Sequence, residues 1–236
     1  IMLAQTEHEV RGYKRTAHAN ALQGVQTEFI GPDRVKQLVP IINIDGPRYP
    51  VLGGLWQARG GTARHDAVAW GYARACSDMG MDIIQKCEVT GVRQTGGKVT
   101  GVSTTRSDID CDKLGIVVAG HSGQLANMAG FRLPIESVAL QALVSEPVKP
   151  CMDVVVMANT VHGYMSQSDK GEMVIGGGTD GHNNYTQRGS FHHIEETVRA
   201  LVETFPMISR LKMLRQWGGI VDVTGLGFGL TFVLVQ

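Results

Sequence analysis

The stretch GGTARHDAVAWGYAR, residues 60–74, decides how the rest of the chain is interpreted. Its two glycines and Thr62 are typical of a turn, and apolar side chains spaced three or four apart after it predict an amphipathic helix from about Asp66 to Met79. The apolar face of that helix would consist of Val68, Ala69, Tyr72, Ala73 and Cys76. After Gly80 the spacing changes to the alternation of β-strands, so the helix leads into a sheet.

Strands dominate the prediction beyond this helix. Three of them follow directly, at 82–94, 98–105 and 108–118, with a hairpin turn at Gly96-Gly97. Further strands are predicted at 136–146, 154–167, 172–176 and 215–224. Helices are predicted at 4–22, 32–38, 124–129 and 192–203. Long antiparallel strands beside an α/β layer predict a mixed α/β fold whose two domains are wound through each other.

The composition is that of an ordinary globular chain. Of its 236 residues 19% are charged, and 22 basic and 22 acidic side chains cancel. Zero net charge and an aromatic content of 6% argue against a nucleic-acid partner. No apolar run reaches the roughly 18–20 residues that span a bilayer, so no membrane is expected. Four widely spaced cysteines without a C-x-x-C pair predict reduced thiols in a cytoplasmic protein and no zinc site.

Three motifs suggest other functions. Residues 176–181, GGGTDG, match the G-x-G-x-x-G pattern, but the following HNNY is typical of a turn, so we interpret the match as accidental. Ser122 lies in a strand-to-helix turn like a serine nucleophile, yet Gln124 stands where the hydrolase pattern requires glycine, which favours a capping role. Adjacent His192 and His193 would point about 100° apart on a helix, so a shared metal ion is not expected.

His65 has the sequence context of a reactive histidine. It lies at the predicted helix start, between Arg64 and Asp66. Helix N–H dipoles and the Arg64 cation disfavour the imidazolium and leave a nucleophilic neutral imidazole, whereas Asp66 acts in the opposite direction. The residues alone are consistent with a covalent role and with a histidine that only makes a local hydrogen bond.

The same stretch resembles the β subunits of heterotetrameric sarcosine oxidase, a branch of the D-amino-acid-oxidase-like flavoenzymes. The similarity continues through DIIQKCEVTG at 82–91 and includes LPIES at 133–137, QSDKG at 167–171, QRG at 187–189 and RQWGG at 215–219. It covers about residues 1–224, and its motifs occur in the family's order. The resemblance implies an FAD-binding domain and an antiparallel-sheet substrate domain.

The resemblance also implies a reaction. Family members oxidise the N-methyl group of sarcosine at a noncovalent FAD, and the electrons pass to a covalent FMN and then to O₂, which gives H₂O₂. Glycine and a one-carbon unit, accepted by tetrahydrofolate, are the other products. The implied partners are the alpha, gamma and delta subunits, with the FMN at the interface between the alpha and beta subunits. A cytoplasmic, bacterial-type oxidoreductase is therefore expected.

Cofactor contacts carry over to individual positions. His65, beside Arg64, matches the histidine that bears the covalent FMN of the family. Val89 corresponds to the position whose backbone meets the FAD adenine. Ala119 and Gly120 match a strand-end turn where close approach of the backbone to the dinucleotide favours small residues.

The resemblance assigns cofactor contacts to two further residues, which lie on strands of the implied substrate domain. His162 is expected to line the FMN side. Arg215 would place a cation near the flavin N1–C2=O group, where reduced flavin is negatively charged. The resemblance assigns no catalytic residue and no metal ligand.

The resemblance divides the chain into three parts. Residues 1–60 and 135–224 correspond to the substrate domain, residues 61–134 to part of the FAD domain, and residues 225–236 match no family pattern. The Gly-rich βαβ unit that opens the family's chain is missing, as is the family's C-terminal end. We therefore expect an incomplete chain that is inactive by itself.

Three alternatives stay open. The first is a subunit of another flavin-dependent amino- or imino-acid oxidase or dehydrogenase, such as one acting on opines or dimethylglycine, from which covalent FMN would separate a sarcosine oxidase. The second is a non-catalytic assembly fragment, which would bind partner subunits without flavin. The third is a hydrolase whose Ser122 would be labelled by a fluorophosphonate.

Overall fold

The computed structural model describes residues 1–224, 227–228 and 233–235. The chain divides into two compact units. The sheet unit comprises residues 1–62, 139–180 and 186–219, and the hairpin unit comprises residues 63–138, 181–185 and 220–236. Which unit binds the flavin and which binds the substrate stays a prediction, and most of the predicted off-family tail, 225–236, lies outside the described residues.

The sheet unit begins with strands and helices that alternate. They are β1 (Met2–Ala4), α1 (Glu7–Leu22), β2 (Glu28–Ile30), α2 (Pro32–Leu38) and β3 (Gly53–Trp56). Helix α1 starts at a capping box, in which the Thr6 hydroxyl accepts from the Glu9 amide at 3.2 Å and the Glu9 carboxylate accepts from the Thr6 amide at 3.1 Å. Both predicted helices are confirmed, whereas strands β1 and β2 were not predicted.

The hairpin unit supplies the next elements. They are α3 (His65–Asp78), β4 (Val89–Thr95), β5 (Lys98–Thr104), β6 (Ile109–Asp110), β7 (Leu114–Ile116) and α4 (Ser122–Met128). Strands β4 and β5 form an antiparallel hairpin, and Gly96 and Gly97 in its turn have φ values of 60° and 79°. Glycine adopts this left-handed backbone without steric cost, which confirms the predicted turn.

Two strand predictions in this unit were too long. The strand predicted at 82–94 begins only at Val89, and the residues before it are mostly exposed. The strand predicted at 108–118 is two strands, because β6 pairs with β5 whereas β7 pairs with a different strand, Val233–Val235. The apolar–polar alternation of the sequence therefore continues from β6 into β7, although the two strands pair with different partners.

The last part of the chain completes the nine-stranded sheet, except for the final strand, which pairs with β7. Its elements are β8 (Ile135–Pro147), β9 (Val156–Ala158), β10 (Gly163–Gln167), β11 (Glu172–Thr179), α5 (Phe191–Leu201), β12 (Met213–Thr224), β13 (Gly227–Phe228) and β14 (Val233–Val235). The sheet has the order β13-β12-β8-β11-β10-β9-β1-β3-β2. Helices α4 and α5 and strands β8, β11 and β12 confirm their predictions to within a few residues.

The single strand predicted at 154–167 was wrong. Strands β9 and β10 pair antiparallel, and a 3₁₀ turn over Asn159–Val161 connects them. His162 completes the turn with a φ of 50°, in the left-handed region. The apolar alternation on both sides of this turn made two short strands read as one long strand.

The core of the sheet unit lies between its helices and the sheet. Its largest cluster of packed, buried side chains contains Leu3, Val35, Ile42, Met165, Ile175, Leu201 and Phe205, all at most 1% exposed. Helix α3 of the hairpin unit has no buried residue at all. The predicted helix is thus confirmed, and its predicted apolar face is mostly exposed, with Val68 and Tyr72 at 48% and 72%.

Two further predictions concern cysteines and membranes. Cys76, Cys87, Cys111 and Cys151 all have free thiols. Within the described ranges, no helix combines the length and apolar character needed to cross a bilayer.

Candidate functional site

His65 is the first residue of α3, and its neighbours form an ion pair around it. Arg64 Nη2 lies 3.3 Å from Asp66 Oδ2, and these two side chains are 59% and 53% exposed. The hydrogen bond from Arg64, with a second one from the Ala67 amide, lowers the pKa of the Asp66 carboxyl. The exposed imidazole of His65 therefore has the partners of an ion pair on either side of it in the sequence.

Val89 and the Ala119–Gly120 turn are the other predicted residues of the hairpin unit. Val89 opens β4, is partly buried and pairs with Thr104 of β5. Ala119 has a φ of 44°, which is strained for a residue with a side chain. Gly120 is buried, and a Cβ there would lie 2.6 Å from the carbonyl oxygen of Ile220. Packing on β12 therefore already explains why residue 120 is glycine.

A buried carboxylate lies close to this turn. Asp222 of β12 is 4% exposed, and neither of its carboxylate oxygens has a hydrogen-bond partner in the described structure. Burial raises the pKa of the Asp222 carboxyl, and the nearby Ser122 hydroxyl and His121 imidazole act in the opposite direction. The Ser122 hydroxyl is itself fully buried and donates to the Ala119 carbonyl at 2.6 Å. A hydroxyl in this position has no access to a substrate, which argues against the hydrolase alternative.

The two predicted residues of the sheet unit are far apart. His162 is exposed and holds the left-handed turn before β10, and Arg215 is exposed on β12. Strands β8 and β11 lie between β10 and β12. Three inter-strand spacings put at least roughly 14 Å between them. They do not form one cluster.

The glycine-rich match at 176–181 has no helix behind it. Its first four residues belong to the end of β11, and the next helix, α5, begins only at Phe191. A dinucleotide fingerprint needs a helix N-terminus directly after the glycines. The interpretation of this match as accidental agrees with the structure.

Sequence reasoning missed one polar cluster in the sheet unit. His193 Nε2 lies 2.9 Å from Asp180 Oδ1, and the side chains are 15% and 8% exposed. Gln141 Nε2 donates to the same carboxylate oxygen at 3.3 Å. These residues are 13 and 39 positions from Asp180 in the sequence, so no local spacing could have indicated the cluster. Among the described residues, no group of three His, Cys, Asp or Glu side chains is arranged to hold a metal ion.

Comparison with known proteins adds the family. The sequence model of the FAD dependent oxidoreductases matches residues 1–232. The chain belongs to this family. Sarcosine oxidase subunit beta from Rhodobacter capsulatus is 77% identical to this oxidoreductase over 225 residues, which are 95% of the chain and 54% of that protein. The proteins of the same name from an Arthrobacter species and Rhizobium meliloti are 53% and 50% identical, over 95% of the chain each.

Solved structures show the same fold. L-proline dehydrogenase from P. horikoshii superposes with a TM-score of 0.85 at 23% identity, covering 95% of this chain and 60% of that one. Glycine oxidase from Geobacillus kaustophilus superposes with a TM-score of 0.81 at 17% identity, and the match covers 96% of this chain and 59% of that one. The predicted fold class and the predicted resemblance are therefore confirmed. The chain spans just over half the length of the curated sarcosine oxidase subunits that it matches.

Proposed function

We propose that this oxidoreductase acts in the oxidation of sarcosine, as the beta subunit of an assembly with alpha, gamma and delta subunits in the cytoplasm. The products would be glycine, H₂O₂ and a one-carbon unit passed to tetrahydrofolate. The observation that carries the proposal is the 77% identity to a sarcosine oxidase subunit beta across 95% of the chain. Because that relative is nearly twice as long, the activity is proposed for the assembled enzyme, and the chain alone is expected to be inactive.

The domain roles form part of the proposal. Residues 61–134 would contribute to FAD binding, and residues 1–60 and 135–224 would form the substrate domain. The hairpin unit, which begins at residue 63, contains all five of the cofactor contacts proposed within 61–134, and they lie at the beginnings of its strands and helices: Arg64, His65, Val89, Ala119 and Gly120.

The surroundings of His65 fit a covalently attached FMN. The imidazole is exposed on the first turn of α3, so a ring nitrogen is accessible for bond formation. Bond formation at the flavin 8α-methyl carbon would need a neutral imidazole as the nucleophile. The imidazole N–H and one methyl C–H would be replaced by an N–C bond, and the two protons and two electrons released would reduce the flavin, which O₂ would reoxidise to give H₂O₂.

The turn at Ala119–Gly120 and the start of β4 fit a noncovalent FAD. Strained backbone at a non-glycine residue such as Ala119 is concentrated at ligand sites. Val117 and Val118, directly before the turn, are 65% and 38% exposed and offer apolar surface beside it. Val89 would contribute backbone at the adenine, as the family resemblance implies.

The chemistry that FAD supplies when bound is acceptance of a hydride equivalent from the carbon next to the amine nitrogen, and FMN relays the electrons to oxygen. The residues of this chain bind and orient these groups. Arg215 would hold a positive charge at the flavin N1–C2=O group, and Arg64 would stand beside the attached FMN. His162, on its left-handed turn, would line the FMN side of the sheet unit.

The test is the intact mass and visible spectrum of the chain after acid precipitation, when it is expressed beside the partner subunits. We expect a yellow chain that carries one FMN, and a colourless chain of unmodified mass for His65→Ser. The matched control is His18→Ser, because His18 is also an exposed helix residue and no flavin contact is proposed for it. An unmodified mass for the parent chain, in an assembly that still oxidises sarcosine, would overturn the assignment of FMN to His65.

A further inference from the structure

The hairpin unit contains a buried carboxyl group without a partner. Asp222 of β12 is 4% exposed, and neither of its side-chain oxygens has a hydrogen-bond partner in the described structure. An ionised carboxylate in such a place has lost its hydration without gaining a hydrogen bond, which is strongly unfavourable. The arrangement that the structure shows therefore suits the neutral, protonated acid.

The Ser122 hydroxyl is a donor close to this carboxyl, but it is already in use. It is fully buried and donates to the Ala119 carbonyl at 2.6 Å. Its position near Asp222 lowers the pKa of that carboxyl, against the larger effect of burial. A hydroxyl has one proton to donate, so it can hold the Ala119 carbonyl or a carboxylate at Asp222, but not both.

The hydrogen bond from Ser122 holds a strained turn. Ala119 has a φ of 44°, in the left-handed region that a residue with a Cβ avoids. Such a conformation persists only where the surrounding structure restrains it. The Ser122 hydroxyl supplies one restraint, and the close packing of Gly120 on the Ile220 carbonyl supplies another.

His121 is the charged group to consider beside Asp222. Among the described residues, it is the titratable side chain whose charge acts on the Asp222 carboxyl, and a protonated imidazole there favours the carboxylate. Its ring contacts the Tyr185 ring, with centroids 5.5 Å apart. No hydrogen bond joins His121 to Asp222 in the described structure, so the imidazole does not replace the missing partner.

We propose that Asp222 is a proton-dependent switch of the Ala119–Gly120 turn. While Asp222 is protonated, the Ser122 hydroxyl holds the Ala119 carbonyl, as the structure shows. When the carboxyl O–H bond breaks and the proton passes to water, the Ser122 hydroxyl turns to the carboxylate. Its hydrogen bond to Ala119 is then lost, and the strained turn loosens. All of these residues belong to the hairpin unit.

The protonation state of Asp222 is the first test, and it needs no bound flavin. Infrared spectra show the C=O stretching band of a carboxyl only while that group is protonated. We expect such a band at about pH 5.5, where ordinary carboxyls are ionised, and we expect Asp222→Asn to remove it. Asp112→Asn is the matched control, because Asp112 is an exposed aspartate of the same unit. Identical spectra for the parent chain and Asp222→Asn at this pH would overturn the proposal.

The second test measures the turn itself by amide hydrogen exchange. The His121 amide donates to the Val118 carbonyl at 3.1 Å and reports on this turn. Its protection factor should fall by up to roughly tenfold as Asp222 ionises, which corresponds to the loss of one hydrogen bond. In Asp222→Asn the protection should not change with pH, and in Ser122→Ala it should be low at every pH. Protection that stays constant in the parent chain while the infrared band titrates would overturn the switch.

The same switch makes the stability of the chain depend on pH. Burial raises the pKa of the Asp222 carboxyl above its usual 3.8, so its contribution is complete below that value and is lost as the pH rises through the folded value. Asp222→Asn keeps a neutral side chain at every pH, so its Tm relative to the parent chain should increase over this range. A Tm difference that decreases with rising pH would mean that the fold stabilises the ionised form, against the proposal.

Two further variants keep the proposal falsifiable. The pH dependence of the turn should survive His121→Gln, and its loss there would assign the switch to the imidazole instead. If Asp222→Asn fails to fold, the infrared titration of the parent chain and the exchange data for Ser122→Ala decide.

Only the effect on flavin rests on the proposed function, in which this turn contacts FAD. In the flavin-loaded assembly, FAD should dissociate faster as Asp222 ionises, and Asp222→Asn should remove this pH dependence. An assembly that binds no FAD removes the proposed function, whereas the infrared and exchange tests of the switch are made on the chain alone. An assembly that binds FAD in a chain whose turn does not respond to pH keeps the proposed function and removes this inference.

Discussion

The sheet unit and helix α3 of the hairpin unit show two ways in which apolar sequence is used. In the sheet unit, side chains such as Phe205 and Leu201 are fully buried in one cluster beneath the sheet. Between residues 63 and 88, which include α3, no residue is buried. Val68 and Tyr72 on the predicted apolar face are 48% and 72% exposed, and Trp70 is 56% exposed.

The difference shows what hydrophobic spacing measures. The positions of Val68 and Tyr72, four residues apart, do lie on one face of α3, as the sequence predicted. Spacing describes the surface that a helix is able to bury, whereas burial also requires an element that packs against that surface. In the sheet unit the sheet is that element, and for α3 no element of the described chain is.

The largest expected effect tests this contrast directly. Phe205→Ala should destabilise the chain by about 3–5 kcal/mol, because it removes a large side chain from a closed core and leaves a cavity. Trp70→Ala removes a larger side chain from α3 and should change the free energy of unfolding by less than about 0.5 kcal/mol, since its neighbours are mostly water. Urea denaturation of the two variants gives both values.

A large loss of stability in Trp70→Ala would contradict the conclusion that no element packs against α3. It would mean that α3 packs against something in solution. Oligomeric state by light scattering, measured on the same samples, would then show whether a second copy supplies that surface.

Local structure was predicted well where one turn or one cap decides it. The hairpin at Gly96-Gly97 and the start of α2 at Pro32 were correct because backbone preferences of single residues determine them. The break at His162 was missed because nothing in the alternation of 154–167 indicates a left-handed residue. The length of the strand predicted at 108–118 was wrong because β7 pairs with a strand more than a hundred residues away.

The second prediction compares two arginine–carboxylate pairs, one from each region. Glu203 of the sheet unit accepts from the Arg48 side chain at 2.7 Å and from the amides of Arg48 and Tyr49, and these hydrogen bonds lower the pKa of its carboxyl below the usual 4.5. A lowered pKa in the folded state stabilises the fold above the unfolded value, and this contribution is lost as the pH falls through the folded value. The pKa of the Asp66 carboxyl is also lowered. Its partner Arg64 is only two residues away in the sequence and both side chains are exposed, so this pair can form in the unfolded chain as well.

Thermal midpoints between neutral pH and about pH 3 test this difference. Glu203→Gln should lower Tm at neutral pH. The difference in Tm between this variant and the parent chain should disappear as the pH falls below 4.5. Asp66→Asn should follow the parent chain at every pH. A gap for Glu203→Gln that stays constant with pH would show that the shape of the side chain matters there and its charge does not.

The polar residues discussed above also differ in how far the sequence alone could predict them. His65 was identified because one short stretch carries both its chemistry and its family resemblance, and the structure confirms its place at the start of α3. The pair of His193 and Asp180 was not identified, because β11 and α5 bring these residues together only in the folded sheet unit.

The smallest effect concerns the first turns of α1 and α3. Thr6→Ala removes the capping box of α1 and should cost about 1 kcal/mol, because the Glu9 amide loses its acceptor. Arg64 occupies the same position before α3 but makes no capping hydrogen bond through its side chain. Arg64→Ala should therefore cost only what an exposed ion pair contributes, roughly 0–1 kcal/mol and less at high salt. Urea denaturation at low and high salt distinguishes the two, since the cost of Thr6→Ala should not depend on salt; a salt-independent loss of similar size in Arg64→Ala would mean that the start of α3 is held by more than this pair.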